Sequence, residues 1–234
     1  VKISKKYQKK FVTKIAQRLN SPAYSENEIS LCESDKSRSL VFIRCHEPED
    51  ESSFVEAEVF FAVQVFDVPK LTEKYSGRIV DKDAFTCSLQ LRNVAFPGHG
   101  LPDWNFELSI DDKESIERAA RQIVEIAKSV LVPLAEQCRD IPGLIAAIKA
   151  NEIPVHKFDF ALLLALAGMF DQCKIHIDDT RSFFQDPRTG PSNPTIVLHM
   201  LDALALDVEA RVGDGCPAFI GRPEVWLTRL VLAR

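Results

Sequence analysis

The chain is predicted to be α+β: a four-stranded antiparallel meander packed with two helices, followed by an all-helical C-terminal part. Three observations predict this. Apolar residues recur every four positions over the first twenty residues, the period changes to two from about residue 39, and no strand pattern follows Pro133. The corresponding domains are an α+β domain over residues 1–138 and a helical domain over 139–234.

The first helix is read from Tyr7, Phe11, Ile15 and Leu19, with Val12 and Ala16 beside them, which form one apolar face. The other face is cationic, because the first twenty residues carry seven basic side chains and no acid. A membrane-surface contact, a nucleic-acid contact or a transit peptide would use such a face, but a docked helix with solvated lysines is the plainer reading. Residues 26–58, with ten acids against three basic residues, offer those lysines partners within the molecule.

Strands are expected over Ser39–Cys45, Val55–Phe66, Phe85–Leu91 and Trp104–Ile110, all rich in β-branched and aromatic residues. In the third, Phe85, Cys87, Leu89 and Leu91 alternate with Thr86, Ser88, Gln90 and Arg92. In the fourth, Trp104, Phe106, Leu108 and Ile110 alternate with Asn105, Glu107 and Ser109. Such alternation marks an antiparallel sheet with one face buried and one wet. Residues 67–84 and 92–103, punctuated by Pro69, Gly77, Pro97, Gly98, Gly100 and Pro102, read as connections.

The stretch LPDWNFELSIDDKESIERA (101–119) aligns with the acid, acid, lysine signature of metal-dependent nucleases through Asp103, Asp111 and Lys113. Metal catalysis needs two carboxylates on one ion or on two ions about 4 Å apart. If Asp103 and Asp111 bracket one extended strand, eight residues at about 3.3 Å each hold them roughly 26 Å apart. The acids instead read as a capping box, Asp111 with Glu114, opening a helix with the stripe Ile116, Ala120, Ile123, Ala127, Val130 and Leu134.

Beyond it, Leu134–Ala150, Lys157–Ala167, Phe170–Phe184, Pro194–Val212 and Pro223–Ala233 are helical in pattern. The pair around Gly168 looks like one helix hairpin of the tetratricopeptide kind, with no 34-residue repeat to extend it.

Composition narrows the function classes. With 234 residues, 46 % of them hydrophobic, the chain can bury a large core, and a net charge of −5 gives no overall attraction to nucleic acid or anionic membrane. No apolar run reaches the roughly 18 residues that span a bilayer; Phe158–Phe170 is of core-helix length. The six cysteines, at 32, 45, 87, 138, 173 and 216, include no CxxC pair or zinc knuckle and read as buried small hydrophobes in a reducing cytoplasm.

Few residues offer chemistry. Glu56 and Glu58 share a strand face without a third ligand, and His99 between two glycines suits a turn. His176 and His199 lie on separate helices with no nucleophile near in sequence. Gly213–Gly215 and Gly221–Pro223 lack the Gly-Lys-Ser/Thr ending that grips phosphate. No catalytic residue, metal ligand or cofactor is therefore expected. The acidic run His46–Glu51 is the exception to this bland surface, and Glu47, Glu49, Asp50 and Glu51 are the candidate partner-binding residues.

A basic early helix, a strand meander, DWNFELS (Asp103–Ser109) and the helix ending in LVPLAEQ (Leu131–Gln137) resemble an uncharacterised bacterial family of unknown function, with members near toxin-immunity loci. The resemblance covers roughly residues 5–150 and implies a non-enzymatic binding role, with no assigned catalytic residues to carry over. The expectation is a cytoplasmic protein-binding module of immunity-protein type. Its partner is another protein, with a basic toxin as the leading option, and not nucleic acid or membrane. Two alternatives stand beside it: a helical scaffold protein, and an enzyme whose site is assembled from scattered residues.

Overall fold

The computed structural model describes residues 5–46, 54–90, 106–109, 112–151, 153–186 and 194–213. The chain forms two compact units, residues 1–156 and 157–234. The first contains helix α1 (Lys5–Leu19), strands β1 (Glu28–Glu33), β2 (Ser37–His46) and β3 (Phe54–Val65), helix α2 (Asp67–Ser76), and strands β4 (Cys87–Gln90) and β5 (Phe106–Ser109). Helices α3 (Lys113–Ile126), α4 (Val132–Gln137) and α5 (Ile141–Asn151) complete it.

The expected stripe of α1 is buried through Phe11, Val12, Ile15 and Ala16. The helix stops where Asn20 turns left-handed (φ 55°), a conformation its short polar side chain tolerates, and the Ser21 N–H reaches back to the Ala16 carbonyl at 3.0 Å. Two of its basic side chains, Lys14 and Arg18, pair with Glu117 of α3 rather than with the acidic segment 26–58.

The sheet is antiparallel and four strands wide, in the order β1-β2-β3-β4. The first four strands form the meander. β5 does not extend it but pairs with the same strand as β4, because β4 lies along Phe60–Val63 and β5 along Phe54–Ala57. The two are one broken edge strand, with Glu58 and Val59 of β3 facing the break.

One sheet face, carrying Ile29, Val41, Ile43, Val59, Phe61, Leu89 and Leu108, is buried, and α1, α3 and α4 pack on the sheet. The other face is not uniformly wet, contrary to the alternation. Ser30, Arg38, Leu40, Ala62 and Gln64 are buried on it, where the segment before β1 and the chain between α2 and β4 cover the sheet. Phe85 precedes β4 and stands edge-on to Phe42, which the register puts on this second face.

Two helices depart from expectation. Residues 67–76 form α2 rather than a connection: Pro69 sits in its first turn, where a missing N–H costs nothing, and Gly77 closes it at φ 65°. The helix from Lys113 passes Pro133, in keeping with the stripe that runs to Leu134. It runs into α4 through a π turn at Ala127–Leu131, in which the Val132 N–H donates to the Ala127 carbonyl five residues back. Widening the turn relieves the clash between a helical proline ring and the carbonyl four residues before it. The start of α3 also differs by one residue. Asp112, not Asp111, is the cap, its carboxylate accepting from the Glu114 N–H at 2.8 Å.

α4 and α5 are joined by a tight turn in which the Asp140 carboxylate accepts from the Gly143 N–H at 2.7 Å. A side chain at Gly143 would collide with the Gln137 carbonyl.

The second unit contains α6 (Lys157–Leu166), α7 (Phe170–Gln185) and α8 (Thr195–Gly213). The expected hairpin around Gly168 (φ 72°) is α6–α7. α6 is its centre, buried through Phe158, Ala161, Leu162, Leu163, Leu164 and Ala165.

Candidate functional site

Glu47, Glu49, Asp50 and Glu51 lie outside the described residues, as do Asp103, Trp104, Asp111 and His99. The structure does fix what they connect. β2 and β3 pair without interruption from Ser37↔Val65 to His46↔Glu56, so the acidic run joins the far ends of one long hairpin. β5 ends at that same place, since Ser109 pairs with Phe54 and Glu107 with Glu56. The chain then leads directly through Asp111 and Asp112 into α3.

Two stretches therefore meet at one end of the sheet, where Glu56 pairs with Glu107. Residues 44–58 and 106–113 carry nine acids against two basic residues, Arg44 and Lys113. Arg44 is exposed. It stands opposite Glu58 in register, and its guanidinium lies 5.8 Å from the ring centres of both Phe42 and Phe60.

The sheet edges are partly occupied. Along β1, Tyr24 N–H donates to the Glu28 carbonyl (2.8 Å) and Ser30 N–H to that of Pro22 (3.1 Å), while Val155 bridges to Cys87 on β4. An extended partner strand has no free ladder at these positions.

At the opposite end of the second face lies a feature that the alternation concealed. Arg38 is 6 % exposed and Gln64 2 % exposed. The Arg38 Nη2 donates to Gln64 Oε1 (2.6 Å), and Gln64 Nε2 donates to the Lys82 carbonyl (2.6 Å). The Tyr24 ring, itself 52 % exposed, covers the guanidinium at 3.7 Å. Nε has no hydrogen-bond partner, and no carboxylate pairs with Arg38 among the described residues. A buried charge without a counter-ion is costly, and the ring face offsets part of that cost. The arrangement pins the segment before β1 to the sheet.

The remaining candidates are structural. His176 Nε2 hydrogen-bonds to the Lys157 carbonyl (2.9 Å) and its ring packs edge-on against Phe160 (5.0 Å), as expected of a partner-satisfied helix residue. His199 is exposed on α8. An open depression of about 410 Å³ is lined by Arg18, Lys113, Glu114, Glu117 and Arg121, charges of both signs among which Glu117 is already engaged. Among the described residues no group of three His, Cys, Asp or Glu is placed to hold a metal ion, and no helix is long and apolar enough to cross a membrane.

Among the described residues five cysteines are free thiols, with Cys87, Cys138 and Cys173 buried and Cys32 and Cys45 half-buried. Burial pushes the Cys45 and Cys138 thiols up to about 12 and Cys173 to about 11. These are the properties of inert packing thiols rather than of nucleophiles.

No protein-family model, curated protein or solved structure matches the chain. The family resemblance set out above rests on its sequence motifs alone.

Proposed function

We propose that the chain is a non-catalytic protein-binding module that engages a basic partner through the acidic end of its sheet, in the manner of an immunity protein covering a cationic cleft. One observation supports the reading: the register sets Glu107 beside Glu56 at the end of the hairpin that the acidic run joins. Grouped like charges repel and do little for the fold, so a partner gives them a purpose. Inert, high-pKa thiols accord with a cytoplasmic setting.

The test neutralises Glu47, Glu49, Asp50 and Glu51 together to Gln or Asn. The melting temperature should stay within about two degrees, because substitutions away from packed features move stability little. Association with a basic protein captured from the native host should slow at least about tenfold at low salt, with the difference shrinking as salt screens the charges. Unchanged association rates across the salt series would remove the acidic end from the binding role.

A further inference from the structure

Where α1 packs against α3, cations outnumber the carboxylates that neutralise them. Lys14 and Arg18 stand one turn apart on α1, and Lys113, Glu117 and Arg121 stand one turn apart on α3, so each set shares a face of its helix. The two rows meet at Glu117, whose Oε1 takes the Lys14 ammonium and whose Oε2 takes the Arg18 Nη2. Both carboxylate oxygens are thus engaged. Lys113 and Arg121, a turn away on either side, are exposed, and among the described residues neither has an ion pair or a side-chain hydrogen bond. Arg18 Nη1 has no hydrogen-bond partner either.

Arg18, Lys113, Glu114, Glu117 and Arg121 line the open depression of about 410 Å³, a volume within the roughly 300–1,000 Å³ of small-molecule sites. With Lys14 on Glu117, four cations stand against two carboxylates, Glu114 and Glu117. Side chains supply this excess and the helix end does not, because the Asp112 carboxylate already accepts from the Glu114 N–H. A phosphate monoester carries about −1.5 to −2 at pH 7, which balances two surplus cations. Guanidinium groups meet phosphate oxygens with parallel N–H donors, and a lysine ammonium adds a point charge.

We propose that the depression between α1 and α3 binds a small phosphate-bearing ligand, with Arg121 and Arg18 on the phosphate oxygens and Lys113 as the additional charge. Glu117 holds Lys14 and Arg18 in place and competes with the ligand for them. The proposal does not rest on the acidic end of the sheet or on a protein partner.

The test is calorimetric titration of the full chain with inorganic pyrophosphate at low ionic strength, against sodium chloride of matched ionic strength. The expected result is saturable one-to-one binding that added salt weakens. Lys113→Gln combined with Arg121→Gln should weaken it at least about tenfold. The melting temperature should stay that of the parent, because neither side chain holds another group in the fold. Glu117→Gln should tighten binding severalfold, since Lys14 and Arg18 are released to the ligand; a merely structural cluster would respond in the opposite direction.

Three results overturn the proposal: no saturable heat beyond the chloride control, binding that the double variant leaves unchanged, or binding lost in a Glu117→Gln protein whose circular dichroism matches the parent's. If Glu117→Gln fails to fold, the double variant decides alone. A phosphate on a lipid headgroup presents the same chemistry, so the chain is also sedimented with phosphatidylcholine vesicles containing phosphatidic acid. Co-sedimentation that the double variant abolishes, without pyrophosphate binding, would overturn the soluble ligand and assign the depression to a membrane surface.

Discussion

Gln64→Leu should destabilise the sheet unit more than removing Gln64 and Arg38 together. The side chain accepts the one hydrogen bond that the buried Arg38 guanidinium makes to a side chain, and donates to the carbonyl of Lys82. A hydrogen bond to a charged group is worth about 1.5–3 kcal/mol, and the carbonyl lost as a partner belongs to an exposed residue, Lys82. Gln64→Leu should therefore cost about 2–4 kcal/mol, since it leaves a cation whose Nε already lacks a partner with no side-chain acceptor at all.

Arg38→Met alone strands Gln64 Oε1 but removes the buried charge, and should cost about 1–2 kcal/mol. The double variant replaces both by apolar side chains and should lose no more than about 1–2 kcal/mol, a coupling on the order of 2 kcal/mol. Urea unfolding of the four proteins gives the cycle, and hydrogen exchange of the β2 and β3 amides assigns the loss to this sheet. Additivity within about 0.5 kcal/mol would refute the reasoning. Arg38 would then be solvated in solution, and Tyr24 would not be its lid.

Asp112→Ala should cost about 1 kcal/mol through loss of the α3 cap, and Asp111→Ala much less, a contrast that thermal melts of the two variants would resolve. Gly143→Ala should cost about 1–3 kcal/mol, because the Gln137 carbonyl must move, and a melting temperature equal to the parent's would show that the α4–α5 turn yields freely.

The buried thiols predict an alkaline limb. The folded state keeps Cys45 and Cys138 protonated to about pH 12, whereas the unfolded chain releases those protons near 9. Their contribution is therefore complete below pH 9 and falls as pH rises toward 12. Cys45→Ala with Cys138→Ala should flatten the fall in urea midpoint above pH 9 relative to the parent, and an identical slope would contradict the assignment.

The helix from Lys5 and the two long strands were legible because their apolar periods are uninterrupted. β1 was not: six residues that begin and end in glutamate look like solvated loop, and only the pairing with β2 makes them a strand. α2 was hidden by Pro69 and Gly77, which punctuate loops and helix ends alike. The pairing of β5 with β3 depends on which strand edge is free, and a sequence does not state that. Arg38 and Gln64 were concealed by the same alternation that revealed their strands, since a polar residue at every second position reads as solvent-facing whether or not another segment lies over it. Of the candidate site, the acidic run was plain from composition. That Glu107 joins Glu56 at its side required the sheet register.

The broken edge along β3 separates two things that chains ordinarily couple, the length of a connection and the alignment of what it connects. β4 and β5 run in the same direction along one partner, and fifteen residues travel where two would have bridged the gap. The register on each side is set by β3, and each doubling of a connection's length costs only about 0.6 kcal/mol in closure entropy. Residues 91–105 are thus a position at which this fold can gain or shed sequence while the sheet stays in register. Variants that shorten or extend this stretch should keep the β3 pairings intact, which makes it the natural place to graft a new binding segment beside the acidic end.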